Sequence, residues 1–180
     1  MTTTVDRSPA APALPAAPAT RTPAPARTLG LPELASLTRS LAQRPDLWRP
    51  LVRFDQGSRW WTRLEGPAGT DVWLLSWLTS QGTELHDHGP SAAAFTVVRG
   101  ALTENRPSGG GSLTSRTFAA GRTQTVVPGA VHDVVNADAE PAVSIHAYSP
   151  PLLAMTYYAL GAGGLTPTRT VLTDEPEQDA

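Results

Sequence analysis

HDHGPSAAAFTVVRG, residues 86–100, is the stretch that decides the fold of this chain. Two histidines separated by one residue lead, after a Gly-Pro pair, into a run of small, aromatic and β-branched residues that ends at Gly100. A short apolar run between glycine and proline signals predicts a buried β-strand. On a strand, residues i and i+2 share a face about 6–7 Å apart, so His86 and His88 could bind one metal ion. The alternative is a pair of half-exposed polar side chains at the end of a core strand.

Runs of the same texture extend outward in both directions from this stretch. About eight of them lie between residues 59 and 148: RWWTRLE, DVWLLSWL, ELHDH, AAAFTVVRG, SLTSRTF, TQTVV, AVHDVVN and AVSIHAY. Short runs rich in Val, Leu, Trp and Thr, separated by Gly and Pro, predict a closed or double-sheet antiparallel β architecture.

The two ends of the chain differ from this β region. Closely spaced prolines and alanines predict a disordered tail over residues 1–28. A helical stripe follows, because leucines recur every three or four residues, at Leu31, Leu34, Leu37 and Leu41. PDLWRPLVRF, residues 45–54, predicts another turn or two of helix. The domain is expected to span residues 29–170, and residues 171–180 read as a solvated acidic tail.

Composition limits the classes of partner. The 14 basic and 16 acidic residues give a formal net charge of −2, which argues against nucleic acid or an anionic membrane surface as a partner. The chain has no cysteine, which excludes disulfides, zinc-thiolate sites and thiol nucleophiles. No apolar run reaches the roughly 20 residues of a membrane span. We expect a soluble, cytoplasmic monomer whose partner is a small molecule.

A second motif strengthens the metal interpretation of the two histidines. VVPGAVHDVVN, residues 126–136, predicts a strand, a Pro-Gly turn and a new strand that carries His132. Together with the first pair it resembles the two motifs of the cupin superfamily, although Ser80 stands where a glycine is usual. The resemblance implies a mainly β fold, a small cupin β-barrel of the double-stranded β-helix or jelly-roll type, with short N-terminal helices and a metal bound inside.

A missing carboxylate narrows the chemistry. Most metal-binding cupins have a glutamate four or five residues after the second histidine, where this chain has Ala92 and Ala93. Three neutral imidazoles leave a divalent ion its full charge and open positions, which favours an anionic, chelating substrate with room for O2. Such a ligand set is compatible with non-heme iron, and also with zinc, nickel or copper.

Two further segments resemble the cysteine dioxygenase family. SIHAYSPPL, residues 144–152, matches its histidine-x-tyrosine-serine-proline-proline run, and WTRLE, residues 61–65, matches the segment whose arginine binds the substrate carboxylate. The resemblance implies Fe(II) as cofactor, L-cysteine and O2 as substrates and cysteine sulfinate as product. It also implies roles for six residues: metal ligation by His86, His88 and His132, a carboxylate clamp by Arg63, and a pocket hydroxyl from Tyr148 held by His146.

Other interpretations stay open from the sequence. Animal members of the family join a cysteine to the active-site tyrosine, but that position is Ala93, so the crosslink cannot form and the chain resembles the bacterial members. The substrate could be another small thiol such as 3-mercaptopropionate, although relatives with that preference tend to have glutamine in place of Arg63. A non-catalytic cupin that senses a small ligand, and a cupin isomerase or decarboxylase, are the remaining alternatives.

Overall fold

The computed structural model describes residues 27–176 of the chain. The predicted disordered tail, residues 1–28, therefore lies almost entirely outside the described residues. Among the residues described, no helix combines the length and apolar character needed to cross a membrane.

The predicted helical stripe forms helix α1, Leu31–Ala42. Its first turn is stabilised by Glu33, whose carboxylate accepts a 2.8 Å hydrogen bond from the backbone N–H of Gly30. Leu34 is fully buried, and the other leucines of the stripe pack against the same core. The second predicted helical segment forms helix α2, Pro45–Trp48, and a 3₁₀ turn, Arg49–Leu51.

Eleven strands follow the helical segment in the described structure. They are β1 (Trp60–Arg63), β2 (Asp71–Trp77), β3 (His86–Asp87), β4 (Ala92–Arg99), β5 (Ala101–Ser108), β6 (Ser112–Ala119), β7 (Thr123–Val126), β8 (Asp133–Val135), β9 (Ala142–Ser149), β10 (Ala154–Gly161) and β11 (Gly164–Leu172). All paired strands are antiparallel. The prediction of a mainly β fold with short N-terminal helices is confirmed.

The strands form one large sheet and two smaller ones. The large sheet has the order β1-β2-β9-β4-β7, and the smaller sheets have the orders β11-β10-β3 and β6-β5-β8. One face of the large sheet packs against α1 through residues such as Leu74 and Ile145. Its other face contributes Trp73, Trp77 and Phe95 to a second core, which the two smaller sheets close from the opposite side. Alternate residues of β2 thus belong to different cores, as the period of a strand requires.

Each of the eight predicted runs contains a strand, but β5, β10 and β11 were not predicted. Strand β5 contains polar and charged residues and Pro107, and β11 is almost entirely exposed, so neither shows a clear apolar pattern. The bend between β4 and β5 depends on Gly100, which has φ 69° and would place a Cβ only 2.8 Å from the carbonyl oxygen of Pro141. Strand β11 also continues to Leu172, two residues beyond the predicted end of the domain.

Candidate metal centre

The three predicted ligands meet where the two smaller sheets touch. His86 lies on β3, and its backbone exchanges hydrogen bonds of 2.9 and 3.0 Å with His132, which directly precedes β8. His88 follows two residues after His86 and therefore lies on the same side of the chain. The Pro128-Gly129 turn, in which Gly129 has φ 70°, reverses the chain before His132. The sequence-predicted group is thus brought together by local strand geometry and one pairing between sheets.

The geometry of the three imidazoles fits a metal ion. All three side chains are buried, and one nitrogen of each lies within 4.8 Å of the others. The Nε2 atoms of His86 and His88 are 3.1 Å apart; two imidazole nitrogens bound to one ion at about 2.1 Å and at a right angle would be about 3 Å apart. Nε2 of His132 is buried without a hydrogen-bond partner among the described residues, which an ion would relieve.

Burial keeps the first two ligands uncharged. Loss of solvent, followed by the effect of His132, lowers the pKa of His86 to about 3. Loss of solvent and the neighbouring His86 hold the pKa of His88 well below its usual value. The neutral imidazole is the form that binds a metal, so both groups are ready for a metal at neutral pH.

Oxygen atoms outside the cluster orient two of the rings. Nδ1 of His86 lies 2.8 Å from the backbone oxygen of Glu84, and Nδ1 of His132 lies 2.9 Å from the carboxylate of Glu104. Burial raises the pKa of Glu104, but hydrogen bonds from His132 and Arg106 outweigh it, so this pKa lies below its usual value. Sequence reasoning missed Glu104, because it lies on β5, which was not predicted.

The opposite wall of the site carries the fourth histidine and the predicted tyrosine, both buried on β9. The Tyr148 hydroxyl lies 3.4 Å from Nδ1 of His146, a long contact, and Nε2 of His146 lies 2.9 Å from Oγ of Ser144. The Trp77 indole N–H donates to the same Oγ at 2.9 Å. The Ser144 hydroxyl accepts from Trp77 and has both a donor hydrogen and a second lone pair for Nε2 of His146, so this contact is compatible with either neutral tautomer of His146.

Burial also determines the charge of His146. Loss of solvent, then the positive charge of Arg59, lowers the pKa of His146 to about 3, so the ring is neutral. The neutral ring has one N–H donor and one acceptor nitrogen, and Nδ1 is the atom that faces the Tyr148 hydroxyl. Ala93 stands directly opposite Tyr148 across the β4–β9 pair.

Arg63, the predicted carboxylate clamp, is not brought into this site. Its side chain is 46% exposed, and its guanidinium lies 3.0 Å from the carboxylate of Asp71 and 3.2 Å from that of Asp174. It also donates to the backbone oxygen of Asp174. Arg63 lines a separate surface groove together with leucines of the helical segment. Two acidic partners outside the cavity hold it there.

Arg59 occupies the place in the cavity that was predicted for Arg63. It is 3% exposed, lines the cavity with the histidines, and its guanidinium carbon lies 4.6 Å from the centre of the Trp77 ring. A cation over an indole face is a favourable arrangement. Arg59, Trp61 and Arg63 alternate along the chain, so a period-2 reading assigns all three to one face. Alternation along the chain therefore places Arg59 on the correct face, but it does not show which of the two arginines reaches the cavity.

The cavity between these walls is small, about 30 Å³. Apolar side chains complete its lining, including Trp73, Leu75 and Met155. Pro176 also lines it and is buried, so this residue of the predicted solvated tail packs against the site instead. Three residues before Pro176, the backbone N–H of Thr173 donates a 3.0 Å hydrogen bond to the backbone oxygen of Leu153. The size of the cavity suits only a small ligand.

Comparison with known proteins adds independent information. The profile of a family described as cysteine dioxygenase type I matches residues 26–160. A curated cysteine dioxygenase type 1 from Danio rerio is 28% identical over 140 residues, covering 69% of this chain and 67% of that protein. A Klebsiella pneumoniae structure with a double-stranded β-helix domain has a TM-score of 0.50 at 19% identity, covering 67% of this chain and 93% of its own. A Thermus thermophilus structure has a TM-score of 0.51 at 20% identity, covering 57% and 92% respectively.

The fold and the candidate metal site together define a class. The chain has a double-stranded β-helix fold, and its interior carries a three-histidine group suited to a metal ion. Within that class it belongs to the cysteine dioxygenase type I family, whose profile spans most of the chain. The resemblance inferred from the sequence motifs is thereby confirmed at the level of fold and family.

Proposed function

We propose that this chain is an iron-dependent thiol dioxygenase that oxidises L-cysteine to cysteine sulfinate. In this reaction the thiol hydrogen is retained in the acid product, both atoms of O2 bond to sulfur, and sulfur supplies the electrons that reduce O2. Family membership and the curated relative named cysteine dioxygenase type 1 support this reaction class. The observation that carries the proposal is the convergence of three histidines, without a carboxylate ligand, on a cavity that also contains Arg59 and Tyr148.

The metal would be held by His86, His88 and His132 through their Nε2 atoms. When bound, iron(II) supplies the redox chemistry that allows a thiolate to react with O2. The protein contributes an uncharged ligand set that leaves the positive charge of the ion available to an anionic thiolate. The apolar side chains of Leu75, Val134 and Met155 around the cavity limit the access of water, which strengthens electrostatic attraction at the site.

The remaining cavity residues would position the substrate. Arg59 would bind the substrate carboxylate, because it is the cation that reaches the cavity among the described residues that line it. Tyr148, oriented by His146, would donate its hydroxyl proton to the carboxylate or to oxygen near the sulfur. The clamp role of Arg63 stays a prediction, since Arg63 would have to leave Asp71 and Asp174 to reach the substrate.

The proposal is tested by O2 uptake. Protein loaded with Fe(II) is mixed with L-cysteine and, in parallel, with 3-mercaptopropionate, and the products are analysed by mass spectrometry for a gain of two oxygen atoms. We expect O2 consumption equal to the sulfinate formed, with L-cysteine preferred. Preference for 3-mercaptopropionate would retain the reaction and overturn the substrate, whereas no uptake by protein with bound iron would favour a non-catalytic ligand-binding cupin.

A further inference from the structure

A buried carboxylate stands immediately behind one of the three histidines. Glu104 on β5 is 2% exposed, and its Oε1 lies 2.9 Å from Nδ1 of His132. The contact connects β5 to the residue that precedes its partner strand β8, because Glu104 pairs with Val134, two residues after His132. The ligand shell itself has no carboxylate, because Ala92 and Ala93 stand where a ligand glutamate is usual.

The other contacts of Glu104 hold its carboxylate in place beside His132. Arg106 donates to Oε1 at 2.9 Å, and Gln124 on β7 donates from Nε2 to Oε2 at 2.8 Å. Both carboxylate oxygens therefore accept hydrogen bonds. Glu104 is held on the cavity side of β5 by donors from its own strand and from β7, so it has little freedom to turn away from the histidine.

The hydrogen bond fixes where the proton of His132 resides. A carboxylate that accepts from Arg106 and Gln124 also accepts from Nδ1 of His132, which therefore carries the hydrogen. The other nitrogen, Nε2, is left with its lone pair directed into the three-histidine cluster. That atom is buried and has no hydrogen-bond partner among residues 27–176. A buried acceptor without a hydrogen-bond partner costs free energy, so the Glu104 contact maintains a tautomer that is otherwise unfavourable in the metal-free site.

We propose that Glu104 is a positioning residue for the metal centre. Its carboxylate holds His132 as the Nδ1–H tautomer, and it supplies, from behind the ring, the negative charge that the ligand shell lacks. The role toward metal rests on the proposed function. Carboxylates hydrogen-bonded to ligating histidines make the ring a stronger donor, and their loss costs about 10- to 100-fold in metal affinity. The glutamate missing from the ligand shell is thus replaced by one in the next layer, which leaves the coordination position open for substrate.

The test has two readouts on the same variants. The first is the 15N chemical shift of the His132 ring nitrogens in the metal-free protein, which reports the tautomer without any metal or substrate. The second is Fe(II) affinity, measured anaerobically by competition with a chromogenic chelator. The variants are Glu104→Gln, which keeps the size and an acceptor oxygen but removes the charge, and Glu65→Gln, the same change at an exposed position.

The expected result is the Nδ1–H tautomer in the unaltered protein, and Fe(II) affinity that falls about 10- to 100-fold in Glu104→Gln while Glu65→Gln stays unchanged. A His132 that carries its proton on Nε2, or that exchanges between tautomers, would overturn the positioning role. Unchanged Fe(II) affinity in Glu104→Gln would overturn the electrostatic role. If the unaltered protein bound no metal, the proposed function would fail, while the tautomer measurement would still decide the positioning role.

Discussion

At the residue scale, the site depends on which of two arginines faces the cavity. Arg59 directly precedes β1 and Arg63 is its last residue, and the β1–β2 register places Trp61 opposite Leu75 and Arg63 opposite Trp73. Arg59 lies on the cavity side over Trp77, whereas Arg63 bonds to Asp71 and Asp174 at the outer end of the strand.

Replacing each arginine by glutamine tests this assignment. Arg59→Gln removes a buried charge that would bind the substrate carboxylate, and a hydrogen bond to a charged group contributes about 1.5–3 kcal/mol, so we expect KM for L-cysteine to rise roughly 10- to 100-fold. Cysteamine, which has no carboxylate, should be oxidised with little change. Arg63→Gln is the matched comparison; a larger loss for cysteine in Arg63→Gln than in Arg59→Gln would restore the sequence-based assignment. Steady-state O2 uptake with both thiols measures it.

At the element scale, a chain of three threonine hydroxyls, two of them on buried residues, connects helix α1 to the large sheet. Oγ1 of Thr38 on α1 and Oγ1 of Thr96 on β4 are 2.8 Å apart, and Thr96 lies 2.8 Å from Thr123 on β7. Thr38 and Thr96 are both buried, with no more than 1% of their surface exposed. The helix therefore contacts the sheet through specific polar pairs as well as through its leucine stripe, which fixes its position over β4.

Thr96→Val should weaken this connection. Valine has the shape of threonine but no hydroxyl, so the substitution removes both hydrogen bonds in a buried location, and we expect the free energy of unfolding to fall by about 1–3 kcal/mol. Thr103→Val makes the same change in an exposed cross-strand pair with Thr117 and should alter the free energy of unfolding by no more than about 0.5 kcal/mol. Urea unfolding compares the two, and equal losses would show that the buried chain has no special role.

At the scale of the whole molecule, the candidate metal centre links distant parts of the fold. His86 and His88 belong to the segment around β3, and His132 precedes β8 in the other small sheet. These groups meet only in the folded chain, so a metal that binds all three binds the native state in preference to the unfolded state. Metal binding should therefore stabilise the whole fold.

Anaerobic addition of Fe(II) should raise the melting temperature. At a free metal concentration 100 times Kd, the free energy of unfolding increases by about 2.7 kcal/mol. For a protein of this size each kcal/mol corresponds to about 2–4 °C, so a Tm increase of roughly 5–10 °C is expected in calorimetry. His132→Ala should abolish the increase. An equal increase in this variant would remove His132 from the ligand set and place the metal elsewhere.

Features that depend on local spacing follow from the order of residues alone. The histidines at i and i+2 of a short strand, the Pro-Gly turn before His132 and the leucine period of α1 each act over a few residues, where strand and helix geometry are fixed by the backbone. The same is true of the eight predicted runs, each of which contains a strand. Ser80, noted as a departure from the usual glycine, adopts the left-handed φ of 67° that glycine favours, so the fold imposes this conformation even on serine.

The side chains that complete the site are selected by long-range packing. Period-2 alternation assigns Arg59 and Arg63 to one face of the chain, and the choice between them follows from strand register and from the acidic partners of Arg63. Glu104 reaches His132 because β5 pairs with β8, a contact between residues far apart in the chain. Such pairings arise from the packing of whole sheets, which no short stretch of sequence encodes, and they determine the electrostatic environment of the metal centre.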